Sequence, residues 1–175
     1  MSASLRLSLL SAATASLAVV CLFSVARASA DPFTISFPTG LVCPNSAVTV
    51  TGAGNGHQVT KTFTTPNGTV RVLSAGTGSD LTFSNPNHPD VTFSLKGNGA
   101  VGWTTTTANG TSTVRLTGHN VVFYFPTDTL LGGLHGPATL LVVGQEVFNV
   151  DAAGNFTQLS ETGNVTDFCA QLPPD

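Results

Sequence analysis

The chain has 175 residues, with 6 lysines and arginines against 9 aspartates and glutamates, a formal net charge of −3 and a charged fraction of only 9%. This composition excludes the broad basic surface that binding along a phosphate backbone requires, so we expect no nucleic-acid partner. Polarity comes instead from threonine, serine, asparagine and glycine, which is typical of neutral, hydrogen-bonding extracellular β proteins.

The chain begins with the pattern of a secretory signal peptide. Arg6 precedes a mostly apolar run at residues 9–25, and Ala28-Ser29-Ala30 supplies small residues for cleavage before Asp31. Serines and threonines interrupt the apolar run, which disfavours a permanent membrane anchor. We therefore predict a cleaved signal peptide at residues 1–30 and a single secreted, extracellular β domain at residues 31–175.

Short β-prone runs separated by turn signals make up the rest of the chain, and helical periodicity is not sustained anywhere. The clearest run is residues 91–95, where Val91, Phe93 and Leu95 alternate with polar residues and are predicted to share one buried face. The other predicted strands are residues 47–51, 59–64, 69–73, 81–84, 101–107, 112–117, 121–125, 139–150, 156–159 and 165–169.

Turn residues between these runs predict local antiparallel pairing. Asn67-Gly68 and Asn109-Gly110 are the pairs that most readily form tight hairpin turns. Residues 151–155 fit a longer hairpin loop, and residues 85–89 a proline-stiffened turn. We predict an all-β fold, a single antiparallel meander of about ten strands closed or nearly closed into a β-barrel, with a two-sheet β-sandwich as the alternative.

Signal cleavage leaves two cysteines, Cys43 and Cys169, in a chain bound for an oxidising compartment. We expect them to form a disulfide rather than remain free, because no third cysteine of the secreted part competes for a partner. A bridge that closes a loop of about 100 residues or more restricts the unfolded chain by about 4.7 kcal/mol in the entropy model.

Four segments carry a resemblance to a known family: Phe37-Pro38-Thr39-Gly40, residues 61–68, residues 120–128 and residues 163–170. Together they resemble a family of uncharacterised secreted actinobacterial proteins, and the likeness covers nearly all of the secreted part. The resemblance implies secretion and supports the pairing of the two cysteines. It implies no activity and no set of catalytic residues.

Residues that could bind a metal or catalyse a reaction are scattered. His57, His88, His119 and His135 have no close spacing, and each lies beside glycine, asparagine or proline, so we predict loop positions and no metal site. Gly-x-Ser-x-Gly is absent and no catalytic set is apparent. We therefore predict no catalytic residues and no cofactor.

One acid falls on an apolar stripe. Strict alternation within residues 139–150 places Glu146 on the same face as Leu140, Val142, Phe148 and Val150. An inward acid has a raised pKa or a partner, and Lys61, on the apolar face of its own strand, is one candidate partner inside the barrel. The alternative is a bulge at Gly144 that turns Glu146 outward.

The segment at residues 126–137, here called the leucine loop, carries Leu130, Leu131 and Leu134 among three glycines. Flexible backbone with apolar side chains suits a lid or a contact surface. The alternative is that these leucines fold back over an open barrel end and complete the core.

We predict a non-catalytic protein with the first of three functions that these residues allow; the other two are alternatives. The first is the binding of a small apolar ligand inside the barrel, with Glu146, Lys61 or Tyr124 orienting it and the leucine loop covering the mouth. The second is a structural or adhesive module that contacts polysaccharide or protein through its surface. The third is an isomerase or cyclase with Glu146 as acid or base. Trp103 and Tyr124 could stack on a sugar, although Trp103 shares a face with Val101, which favours the core.

Overall fold

The computed structural model describes residues 31–175, so the predicted signal peptide at residues 1–30 lies outside the described residues. The described part contains ten strands and two short 3-10 helices. The strands are β1 (Phe33–Phe37), β2 (Val48–Gly52), β3 (His57–Thr64), β4 (Val70–Thr77), β5 (Leu81–Asn85), β6 (His88–Leu95), β7 (Gly99–Thr106), β8 (Ser112–Tyr124), β9 (Ala138–Val150) and β10 (Phe156–Asp167). The short helices are Leu131–Gly133 and Cys169–Gln171.

The strands form two antiparallel sheets. The small sheet has the order β1-β2-β5-β6, and the large sheet has the order β10-β9-β8-β7-β4-β3. The all-β prediction is confirmed, but the single meander is wrong, the described residues form no closed barrel, and the two-sheet alternative fits better. The reason is long-range pairing. Because β4 pairs with β7, the hairpin of β5 and β6 lies outside the large sheet, and β5 pairs with β2 in the small sheet.

The predicted hairpins are confirmed. Asn67-Gly68 lies in the turn between β3 and β4, and Asn109-Gly110 lies in the turn between β7 and β8. In the first turn the Asn67 side chain accepts the Thr69 N–H at 3.2 Å, which holds the turn in place. Two predicted pairs of short strands are in fact continuous, because residues 112–124 form β8 and residues 156–167 form β10.

The small sheet packs on one end of the large sheet. Phe37 of β1 meets Phe123 of β8 with ring centroids 5.2 Å apart, and Phe83 of β5 meets Phe168 at 4.9 Å. The buried residues of this first core are Phe37, Val42, Cys43, Val48, Val50, Phe83, Phe168 and Leu172. Aromatic pairs in contact add to the free energy of burial, so this seam is a main attachment between the sheets.

A disulfide and a carboxylate fasten the chain around this core. Cys43 and Cys169 are bonded across a sequence separation of 126, which confirms the predicted pair. The carboxylate of Asp175 accepts hydrogen bonds from the side chains of Asn85 and Asn87 at 2.8 and 2.9 Å. The hydrogen bond from the Thr39 hydroxyl, together with those from Asn87 and Asn85, lowers the pKa of Asp175 to about 2. Both ends of the described chain are therefore tied to the small sheet.

The predicted face of residues 91–95 is only partly correct. Phe93 stacks on Phe83 at 5.1 Å and Leu95 packs against the first core, as expected. Val91 is exposed, because it lies near the start of β6 at the edge of the small sheet, where no second layer covers it.

A row of glycines crosses the large sheet. Gly118 of β8 pairs with Gly144 of β9, which pairs with Gly163 of β10. All three have positive φ, at 104°, 155° and 114° respectively. A Cβ added to Gly144 would lie 2.0 Å from the carbonyl oxygen of Thr162 on the next strand. Only glycine permits this approach.

Replacing Gly144 by alanine tests the row. Because the new Cβ meets neighbouring backbone and φ is unfavourable, we expect Gly144→Ala to lower the free energy of unfolding by about 3 kcal/mol or more in urea titrations. Gly154 is the matched control: its φ is 91°, yet nothing lies within 4 Å of its Cβ position. Gly154→Ala should cost about 1 kcal/mol. Equal losses in the two variants would contradict close packing along the row.

Candidate functional site

The two faces of the large sheet are called here the front face, which carries Trp103, and the back face, which carries Glu146. Directly paired residues of neighbouring strands share a face. One row across the front face therefore contains Lys61, Leu73, Trp103, Arg115 and Val147. The small sheet covers the other end of the front face, where Val121, Phe123 and Leu141 pack against the first core.

Glu146 is buried on the back face, with 0% of its surface exposed. Of the two orientations that the sequence left open, the structure has the inward one. The alternative of a bulge at Gly144 is wrong, because the register of β8 and β9 runs unbroken through the pair Gly118 and Gly144. The irregularity lies instead in β10, between Gln158 and Ser160. The second core around Glu146 consists of Val114, Val122, Tyr124, Leu140, Val142, Phe148 and Phe156.

A hydrogen-bond network surrounds the buried acid. The Tyr124 hydroxyl donates to Oε1 of Glu146, and Nε2 of Gln158 donates to the same oxygen and to Oε2 of Glu161, each at 2.8 Å. Burial raises the pKa of Glu146, the two donors oppose this, and the nearby Glu161 carboxylate adds to it. Burial and Glu146 also raise the pKa of Tyr124, so its hydroxyl keeps its proton and remains a donor.

The leucine loop is bonded to the large sheet. Leu130 packs into the second core, as expected of leucines that complete a core, whereas Leu131 and Leu134 are exposed. The Asp128 carboxylate accepts two backbone N–H groups at 2.6 and 2.7 Å. The Leu131 N–H donates to Oε1 of Gln158 at 3.0 Å. Gln158 therefore connects the loop to Glu146.

Lys61 does not meet Glu146. It is exposed on the front face, and Phe63 beside it on the same face is exposed as well. Trp103 and Val101 are also exposed there, so their predicted place in the core is wrong. The predicted alternation along these strands is correct, but the apolar stripe faces solvent because the small sheet does not extend over it.

Trp103 lines an open depression on the front face with a volume of about 330 Å³. Its lining residues are Arg71, Trp103, Thr105, Thr113 and Arg115. The Arg115 guanidinium donates to the side-chain oxygen of Gln145, a neutral group. Within residues 31–175 the one ion pair joins Lys96 to Asp80 at 3.1 Å, so neither arginine of the depression is neutralised by a carboxylate.

The histidines lie in different elements. His57 and His88 begin β3 and β6, His119 lies inside β8, and His135 lies in the leucine loop. The predicted loop position is wrong for His57, His88 and His119, which belong to strands. The glycine before His119 lies within β8 rather than in a turn. Across the described chain, no group of three or more His, Cys, Asp or Glu residues is placed to hold a metal ion.

Among the described residues, none of the helical segments is long and apolar enough to cross a membrane. Comparison with protein-family models, curated proteins and solved structures found no match. The function of the protein must therefore be inferred from the geometry of this chain alone.

The buried acid predicts a pH dependence. Folding raises the pKa of Glu146 above its ordinary 4.5, so the folded state binds more protons than the unfolded chain as the pH rises through this range. The free energy of unfolding then falls with pH, by at most about 1.4 kcal/mol per pH unit. Glu146→Gln retains the shape and the acceptor for Tyr124 but cannot ionise.

We expect Glu146→Gln to gain stability relative to the natural sequence as the pH rises above about 4.5, as measured by urea unfolding at several pH values. Asp128, whose pKa burial also raises, is present in both proteins and cancels in the comparison. A difference between the two proteins that does not change with pH would contradict a titrating Glu146.

Proposed function

We propose that this protein is a non-catalytic extracellular module that binds polysaccharide through the front face of its large sheet. The observation that carries the proposal is Trp103, 41% exposed at an open depression and paired across strands with Arg115. An exposed indole offers a wide apolar surface for the face of a sugar ring, and its N–H is a hydrogen-bond donor. The threonine hydroxyls of the depression donate and accept hydrogen bonds.

The position of Trp103 on a strand favours binding. Strands β4, β7 and β8 are consecutive in the large sheet, so the lining residues of the depression are held at fixed strand spacings of about 4.8 Å. A surface already arranged before binding loses little conformational entropy when a ligand arrives. A rigid sheet thus suits an extended, repetitive ligand.

The interior supports a non-catalytic role. A general acid or base must reach its substrate, and neither Glu146 nor Tyr124 has exposed surface. Phe148 and Val142 are also fully or almost fully buried, so side chains occupy the space around the acid. The disulfide is compatible with an oxidising compartment, which agrees with the secretion that the signal-like pattern at residues 1–30 predicts.

One observation favours a second candidate, a small apolar ligand with a polar group bound at the back face. Oε2 of Glu146 and Nδ2 of Asn120 are buried and have no hydrogen-bond partner. Such atoms are rare in folded proteins and call for a partner. Native mass spectrometry of protein taken from its own secretion medium tests this candidate. A mass excess lost on denaturation supports this candidate, and a bare mass contradicts it.

Replacing Trp103 tests the proposed function. By analogy with stacking on aromatic side chains, worth about 1–3 kcal/mol, we expect Trp103→Ala to weaken binding about tenfold or more in affinity electrophoresis through gels containing neutral and charged polysaccharides. The control is Leu134→Ala, which removes a side chain that is 67% exposed in the leucine loop. Both variants should fold, since both residues lie at the surface. A site at Trp103 would be contradicted if neither variant lost affinity, or if both variants lost affinity equally.

A further inference from the structure

The front face concentrates the positive charge of the protein. Residues 31–175 contain four basic residues, and three of them, Lys61, Arg71 and Arg115, lie on this face. Lys61 and Arg115 belong to the row that contains Trp103, and Arg71 belongs to the neighbouring row, where it pairs with Thr105. All three side chains are exposed.

Negative charge is absent from the same face. No aspartate or glutamate occupies a front-face strand position of the large sheet within the described residues; Glu146 and Glu161 pair with each other on the back face. The formal net charge of the whole chain is nevertheless −3. The front face therefore has the opposite sign to the rest of the molecule, and it attracts anions.

The arginines have free capacity for hydrogen bonds. A guanidinium carries five N–H donors, and Arg115 donates to the amide oxygen of Gln145, which neutralises no charge. Arginine matches a carboxylate with two parallel hydrogen bonds, a stronger arrangement than bonds between neutral groups. Arg71 and Arg115 line the depression together with Trp103, so a ring on the indole lies within reach of both guanidinium groups.

We propose that the ligand of the front face is an acidic polysaccharide, with a sugar ring on Trp103 and carboxylate groups bound by Arg71 and Arg115. This inference rests on the proposed function, since it names the class of polysaccharide. Nucleic acid fits less well, because affinity for a phosphate backbone depends on many basic residues that contact phosphates, and the front face has three. Three basic residues beside an exposed aromatic side chain match a sparsely charged polymer of sugars better.

The test compares two polymers that differ at the carboxyl group, which is ionised in polygalacturonate and a neutral methyl ester in its fully esterified form. We expect the secreted protein to bind polygalacturonate about tenfold or more tightly than the ester in isothermal titration calorimetry, and to lose that preference as sodium chloride is added. Arg71→Gln combined with Arg115→Gln should remove the preference and leave binding of the ester within about twofold. Lys96→Gln, which changes a lysine paired with Asp80, should change neither.

The outcomes separate this inference from the proposed function. If both polymers bind equally and Trp103→Ala abolishes the binding of both, the inference of an acidic ligand is wrong and the proposed binding of polysaccharide is supported. If neither polymer nor any neutral polysaccharide binds, both are wrong. Tighter binding of a single-stranded oligothymidylate at the same salt concentration would overturn the inference in favour of nucleic acid. The inference would also be overturned if Lys96→Gln lost as much of the preference for polygalacturonate as the double arginine variant. That result would show an effect of net charge alone. Circular dichroism confirms that each variant is folded.

Discussion

The close backbone approach along one row of small residues separates the covered part of the front face of the large sheet from the open part. Gly76, Ala100, Gly118, Gly144 and Gly163 pair in succession across five strands. On one side of the row, hydrophobic residues of β8 and β9 on the front face are covered by the small sheet. On the other side the same face is open and carries the basic and aromatic residues. A side chain in the middle of the row would push neighbouring strands apart and disturb both halves.

The back face contains a buried carboxyl group, that of Glu146. An acid without partners inside a protein is costly, and here Tyr124 and Gln158 both donate to Oε1 of Glu146. Gln158 also accepts the Leu131 N–H, so one amide side chain links the acid, β10 and the leucine loop. Asp128 fixes the same loop through two backbone N–H groups. These hydrogen bonds hold the leucine loop against the second core. The loop is therefore a fixed part of the surroundings of Glu146.

Local features can be predicted from the sequence and long-range ones cannot. The Asn-Gly turns depend on neighbouring residues, and their prediction is correct. Alternation in β9 left the orientation of Glu146 open, because a bulge at Gly144 would have reversed it. The pairing of β4 with β7 depends on contacts across an inserted hairpin, which no periodicity reveals. Alternation also gives no indication of which face of a strand a second sheet covers. It therefore wrongly places Lys61 and Trp103 in the interior of the protein. Gln158 carries a weak signal, a polar residue two positions after the buried Phe156, and the site at Trp103 has no sequence motif.

The shape of the front face, more than its charge, favours a polymer over a small ligand. Sites for small molecules enclose most of the ligand, whereas the depression at Trp103 is open, so a single sugar would keep much of its surface in water. The row from Lys61 to Arg115 crosses four strands, a span of about 14 Å at the usual strand spacing. Affinity on such a surface comes from several weak contacts made at once. Each additional unit of a polymer binds at a high effective concentration, because the first unit already holds the chain in place.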